Sequence, residues 1–154
     1  MASKRPKDLQ RTLVSQRFAA PVLRQCLSLG QWTVNTTVTP TPVFVADRLM
    51  VIREIWFSLD AVPSDPDGTM LVNALVYDES EAADDTIVVS HDAEAVHVEA
   101  RKAYKAALAA ETAENQLTLE AGDTIRFTLV NNSAAITTNA NVNALIIYQP
   151  LKPV

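Results

Sequence analysis

Ser90-His91-Asp92 carries the three residue types of a hydrolase triad, and His97 follows His91 at a distance of six positions. Contiguous side chains diverge from one another, so this run cannot align nucleophile, base and orienting carboxylate; it suits the N-cap region of a helix better. The six-residue spacing puts the two imidazoles on different faces of a helix and does not match the i, i+4 pair of a zinc enzyme, so no metal site is expected. Asp65, Asp67 and Gly68 have the start of a calcium loop but lack its remaining ligands and terminal Glu. The acidic run Asp78, Glu79, Glu81, Asp84, Asp85 is read as a solvated loop. With three glycines in the chain and neither GxGxxG nor GxxxxGK[ST], nothing cradles a phosphate, and no cofactor is expected. The chain is therefore read as non-enzymatic, with no catalytic residue.

The remaining chemistry is that of contact. Residues 1–25 hold Lys4, Arg5, Lys7, Arg11, Arg17 and Arg24 against the single acid Asp8, whereas the rest of the chain is strongly acidic and the whole carries a net charge of -5. A segment opposite in sign to its own body is drawn to a neighbouring copy or to another acidic surface. Nucleic acid is not expected as a partner, because only Phe18 interrupts the cations as an aromatic and the acidic body repels a polyanion. Trp32, Trp56, Tyr77 and Tyr148 offer the residue types of a sugar-stacking platform, although aromatics on strands more often fill a core.

These groups must be positioned by a single domain, because 154 residues suffice for one core, and 48% hydrophobic with 20% charged residues is a globular composition. Cys26 is the only cysteine, which excludes an internal disulfide and fits synthesis in a reducing cytosol. Neither a secretory signal nor a membrane span is read in the chain.

Residues 1–30 contain Leu9, Leu13, Phe18, Val22, Leu23, Leu27 and Leu29, too many apolar groups for a solvated tail, and Pro21 interrupts any long helix. The expectation is an extended basic arm over 1–30 that orders on a partner, followed by a domain over 31–154. From Trp32 onward the pattern is β: 33–39, 43–45, 49–59, 70–77 and 86–90 are strand candidates. Along 49–59, Leu49, Val51, Ile55, Phe57 and Leu59 fall on one face and Met50, Ile52, Glu54, Trp56 and Ser58 on the other. Both faces are largely apolar, so the second needs a cover, and Met50, Ile52 and Trp56 are candidates for a subunit interface. Val96, Ala100, Ala103, Tyr104, Ala107 and Leu108 recur at helical spacing and predict one helix from Ala93 to about Glu114. Leu117–Glu120 and Thr124–Leu129 flank the turn Ala121-Gly122-Asp123 as a hairpin or corner, and 134–138 and 141–149 complete about eight strands. The fold class expected is mainly β: an antiparallel β-sandwich, jelly-roll-like, with one α-helix and an extended N-terminal arm.

The stretch Leu119-Glu120-Ala121-Gly122-Asp123-Thr124-Ile125-Arg126-Phe127-Thr128-Leu129, preceded by the Ala-rich run 103–108, resembles β-sandwich virion proteins of tailed bacteriophages. Strand 49–59 and the ending Ile146-Ile147-Tyr148-Gln149-Pro150 are similar in character, so the resemblance spans roughly residues 43–150. Small single-domain chains with a terminal arm resemble, within that class, head decoration or cement proteins. The resemblance implies a structural role on the capsid surface, a homotrimer, and the major capsid protein as partner. A tail, fibre or baseplate component and a carbohydrate-binding module are the alternatives. Residues 1–30 lie outside the resemblance, and an interaction role for Lys4, Arg5, Lys7, Arg11, Arg17, Phe18 and Arg24 follows from charge alone.

Overall fold

A computed structural model describes residues 21–41, 43–78, 83–109 and 117–151. Among the described residues, ten strands are divided between two antiparallel sheets. The first sheet has the order β1 (Leu23–Gly30), β10 (Val142–Pro150), β4 (Met50–Leu59), β7 (Ala103–Lys105), with β8 (Thr118–Leu119) also against β4. The second has the order β2 (Thr36–Val38), β9 (Thr124–Asn131), β5 (Met70–Asp78), β6 (Ala83–Asp92), with β3 (Phe44–Val45) also against β9. The chain crosses from sheet to sheet at each step except within β2/β3, β5/β6 and β7/β8, which is the jelly-roll arrangement expected from sequence.

The core is the layer between the sheets. β5 and β9 alternate strictly, burying Met70, Val72, Ala74 and Val76 beside Ile125, Phe127 and Leu129. They face Ile55, Phe57, Leu59, Val142, Ala144 and Ile146 of the first sheet, and the rings of Phe57 and Phe127 meet edge to face at 6.1 Å. Each large side chain so buried contributes about 1.5–3 kcal/mol relative to exposure.

Strand β4 departs from simple alternation. Ile147 opposes Glu54 and Tyr148 opposes Ile52, so Arg53 has no residue opposite: a β-bulge. An extra residue reverses parity, and Met50 and Ile52 before the bulge point into the same core as Ile55, Phe57 and Leu59 after it. Met50 and Ile52 are thus not an interface; they are 1% and 2% exposed. Arg53 stays on the outside and donates to Gln149 Oε1 at 2.5 and 3.1 Å.

Two further expectations change. Leu23–Gly30, assigned from sequence to the arm, is a strand along β10, with Leu27 and Leu29 packed on the core. Without it the long strand β10 would present unpaired amides and carbonyls at the sheet edge. The helix expected from Ala93 to about Glu114 is a single turn, Ala93–Val96 (α1). Asp92 caps it, accepting from the amides of Glu94 and Ala95 at 3.1 Å. Arg101 then takes a left-handed φ of 63°, and 103–105 run extended beside β4. Satisfying the β4 backbone outweighs the small helix preference of alanine. The end of the expected helix, 110–116, lies outside the described residues.

The turn before β9 is a corner and not a hairpin, since β8 belongs to the first sheet and β9 to the second. Gly122 supplies φ 101°, and Asp123 accepts the Glu120 amide at 2.9 Å.

Candidate functional site

Strand pairing assembles the outer face of the first sheet in rows. Cys26 opposes Leu145, Leu145 opposes Trp56, and Trp56 opposes Lys105; beside this row, Arg24 opposes Ile147, which opposes Glu54. Antiparallel partners project to the same side, so Leu145, Ile147 and Trp56 form an apolar centre rimmed by Arg24, Glu54 and Lys105. Leu145, Ile147 and Trp56 are half-buried, whereas their neighbours Ala144 and Ile146 are closed off inside the sandwich. Glu54 binds Lys105 Nζ through Oε1 at 2.7 Å and accepts the Trp56 indole N–H through Oε2 at 2.7 Å. The hydrogen bond from Lys105 first, then that from Trp56, lowers the Glu54 pKa below its ordinary value.

Of the residues expected at an interface, Trp56 and Arg24 lie on this face, while Met50 and Ile52 do not. Lys4, Arg5, Lys7, Arg11, Arg17 and Phe18 lie outside the described residues. The basic segment enters the fold at Val22 and Leu23, both exposed, at the start of the edge strand of this same sheet. Sequence reasoning missed Leu145 and Ile147. Their signal was the one that singled out β4: apolar residues on both parities of a strand, Val142, Ala144 and Ile146 on one and Leu145 and Ile147 on the other.

The four aromatics considered for sugar stacking are not brought together. Trp32 is buried, its indole donating to the Leu71 carbonyl at 3.0 Å. Tyr148 packs edge-on against Phe44 at 5.0 Å, and Tyr77 lies under the Arg126 guanidinium at 4.2 Å. The Asp65 carboxylate is occupied by the Asp67 amide at 3.1 Å and by Asn131 Nδ2 at 2.6 Å, a lock between loop and strand.

A second cluster contradicts the expectation that His91 and His97 point apart. β6 ends at His91 and Asp92, and the single turn of α1 returns the chain so that the two Nε2 atoms meet at 2.9 Å. Phe57 packs on His91 at 4.9 Å and Tyr104 on His97 at 4.6 Å. Burial, then the neighbouring His91, lowers the His97 pKa to about 4; burial also lowers that of His91, against the pull of Asp92. Two imidazoles are fewer ligands than a stable zinc site takes, and among the described residues no three His, Cys, Asp or Glu converge on a common point. The Ser90-His91-Asp92 run likewise makes no triad: Asp92 is the helix cap and His91 faces His97.

No family model matches the chain, and neither does any curated protein. Among solved structures it is similar over 90% of its length to a chain in the capsid of Ralstonia phage GP4, with 13% identity, TM-score 0.49 and 88% of that chain covered. It is similar over 87% to a chain of the cyanophage Pam1 capsid asymmetric unit, with 18% identity, TM-score 0.44 and 93% of that chain covered. A third likeness, to the structure of infectious bursal disease virus Gx strain, covers 88% of this chain and 33% of that one at 10% identity and TM-score 0.41. With every TM-score below 0.5 and every identity below 25%, none of these likenesses assigns a role to the chain.

Proposed function

We propose that the chain is a structural virion protein: a capsid decoration or cement protein that oligomerises, as a homotrimer, on the phage head and braces major capsid subunits through its body and N-terminal arm. It acts by contact and not by catalysis. The observation that carries this reading is the half-buried apolar centre Leu145, Ile147 and Trp56, on the sheet whose edge strand continues into the basic segment. Apolar side chains on two adjacent strands of an outer face gain from a cover, and a cationic segment gains from an acidic neighbour. Repetition around a shell turns weak contacts into avidity, on the order of 100-fold or more. The sequence resemblance to virion sandwiches points the same way. Assembly follows synthesis in the host cytoplasm, and neither membrane nor nucleic acid is a partner. The burial of Trp32 takes away half of the tryptophan pair that a carbohydrate-binding module would use.

The test is deletion of residues 1–20, which spares β1, followed by co-sedimentation with purified heads of the cognate phage across a salt series. Loss of occupancy together with a flatter salt dependence is expected. Full occupancy with unchanged salt dependence would show that the segment is not the anchor, and light scattering that gave a monomer at all concentrations would remove the trimer.

A further inference from the structure

We propose that the His91–His97 contact is a proton-operated latch, holding residues 97–109 against β4 while both rings are neutral and releasing them when the pair takes on charge. The proposal is independent of what the outer face binds.

The contact needs one donor and one acceptor, so only one proton lies between the Nε2 atoms. His97 Nδ1 is buried without a partner. A bare acceptor is tolerated better than an orphaned N–H, which assigns the His97 proton to Nε2 and makes His91 Nε2 the acceptor. His91 then carries its proton on Nδ1, and its ring lines a recess of about 260 Å³ shared with Ser90, Asp92 and Lys105. An added proton has no good place. On His91 Nε2 it sets two N–H groups head to head; on His97 Nδ1 it creates a cation, fully buried, whose N–H meets no acceptor.

The groups around the pair do little to hold such a charge. β4 presents Phe57, and on β5 the residue opposite His91 is Val72. From β6 and α1, Asp92 is engaged at the helix cap and Glu94 accepts the Asp65 amide. From the segment itself come Tyr104, Lys105, which is paired with Glu54, and Lys102, which is paired with Glu99 and lies 5.5 Å from the Tyr104 ring centre. Neither lysine can accept a hydrogen bond from a charged imidazole, and the carboxylates of Glu99 and Glu54 are engaged by them.

What the latch holds is lightly built. Beyond His97 the segment is fixed by the three-residue pairing of β7 and by the amides of Arg101, Ala106 and Ala109 donating to the carbonyls of Leu59, Ile55 and Ile87. Val98, Glu99, Ala100, Arg101, Lys102 and Ala103 are exposed, and Ala106 is its other fully buried anchor. Such a unit opens locally well before the whole fold. A charged His97 gains its hydration only by leaving, and the segment attached to it follows.

The experiment is amide hydrogen exchange, corrected for intrinsic rates, on the intact protein and on His97→Phe at about pH 7.5 and about pH 4.5, the span across which an imidazole changes charge. In the native sequence the amides of Arg101, Ala106 and Ala109 are expected to lose protection about tenfold or more at the lower pH, while those of β5 and β9 keep theirs. His97→Phe, which keeps an aromatic ring and cannot charge, is expected to abolish that difference. Equal protection at the two pH values, or an equal loss in the variant, overturns the latch. Should His97→Phe fail to fold, NMR titration of the two imidazoles in the native protein decides. Protonation that coincides with the loss of protection supports the latch, and protonation with the segment still closed overturns it.

Discussion

Trp56 donates its indole N–H to Glu54 Oε2 at 2.7 Å, between residues two apart on the outer face of one strand. Lys105 holds the other carboxylate oxygen, so the indole is fixed by an acceptor that is itself fixed. A ring ordered before contact loses less entropy when a partner covers it.

Trp56→Ala is therefore expected to cost binding more than folding. If the outer face is the interface, truncating its central tryptophan weakens association by about 2 kcal/mol or more, roughly 30-fold, while the urea midpoint moves little. Light scattering and co-sedimentation with heads check the first part, and urea denaturation checks the second. Unchanged oligomerisation and unchanged occupancy would move the interface elsewhere on the body.

Ile52→Ala has the opposite signature, because the bulge at Arg53 turns Ile52 into the core, to the same side as Ile55. Removing those atoms leaves a cavity and costs about 2–5 kcal/mol of stability, read by urea denaturation, while the molecules that remain folded associate as before. A loss of association with full stability would restore Ile52 to an interface role.

The bulge also marks what the sequence made legible. The alternation of β9 and the position of the turn at Gly122-Asp123 could be read directly, since a sandwich interior and a tight turn leave a local pattern, whereas the choice between hairpin and corner depends on which sheet each flanking strand joins. The bulge left one too: Arg53-Glu54 puts two charged residues in succession within an alternating strand, and strict alternation misread it, placing Met50 and Ile52 outside. The Ala-rich stretch after His97 misled for a different reason, because alanine's helix preference is a few tenths of a kcal/mol per residue and β4 needed a partner. Nothing local shows that β10 would take Leu23–Gly30 as its neighbour, or that one turn of helix would bring His91 onto His97. Both are matters of long-range pairing.

Gly68 is held by packing, not by backbone conformation. A Cβ built there would sit 2.5 Å from Ser133 Cβ and 3.1 Å from the Ser133 amide, and neither is the end of a flexible side chain that can swing aside. Gly68→Ala must push the loop off the end of β9, straining the bond from Asn131 to Asp65 at 2.6 Å. A loss of about 1–3 kcal/mol is expected in calorimetry or urea denaturation. At Gly30 no atom crowds the added methyl, but φ is 84°, so Gly30→Ala is expected to cost the smaller, conformational penalty of about 1 kcal/mol.

The histidine pair makes global stability depend on pH with a definite sign. His97 titrates near 6.5 when unfolded and near 4 when folded, because burial and His91 disfavour its charge. Above about pH 6.5 both states are neutral and the residue adds no pH dependence. Below that, the unfolded chain takes up a proton that the folded chain refuses, so stability falls as pH drops, and the fall levels off once the folded form titrates as well. The separation of the two values corresponds to a loss of about 3 kcal/mol at most. Urea denaturation at half-unit steps of pH checks it. The native protein is expected to lose stability steadily through this window, and His97→Phe to hold a flatter curve until the carboxylates begin to titrate.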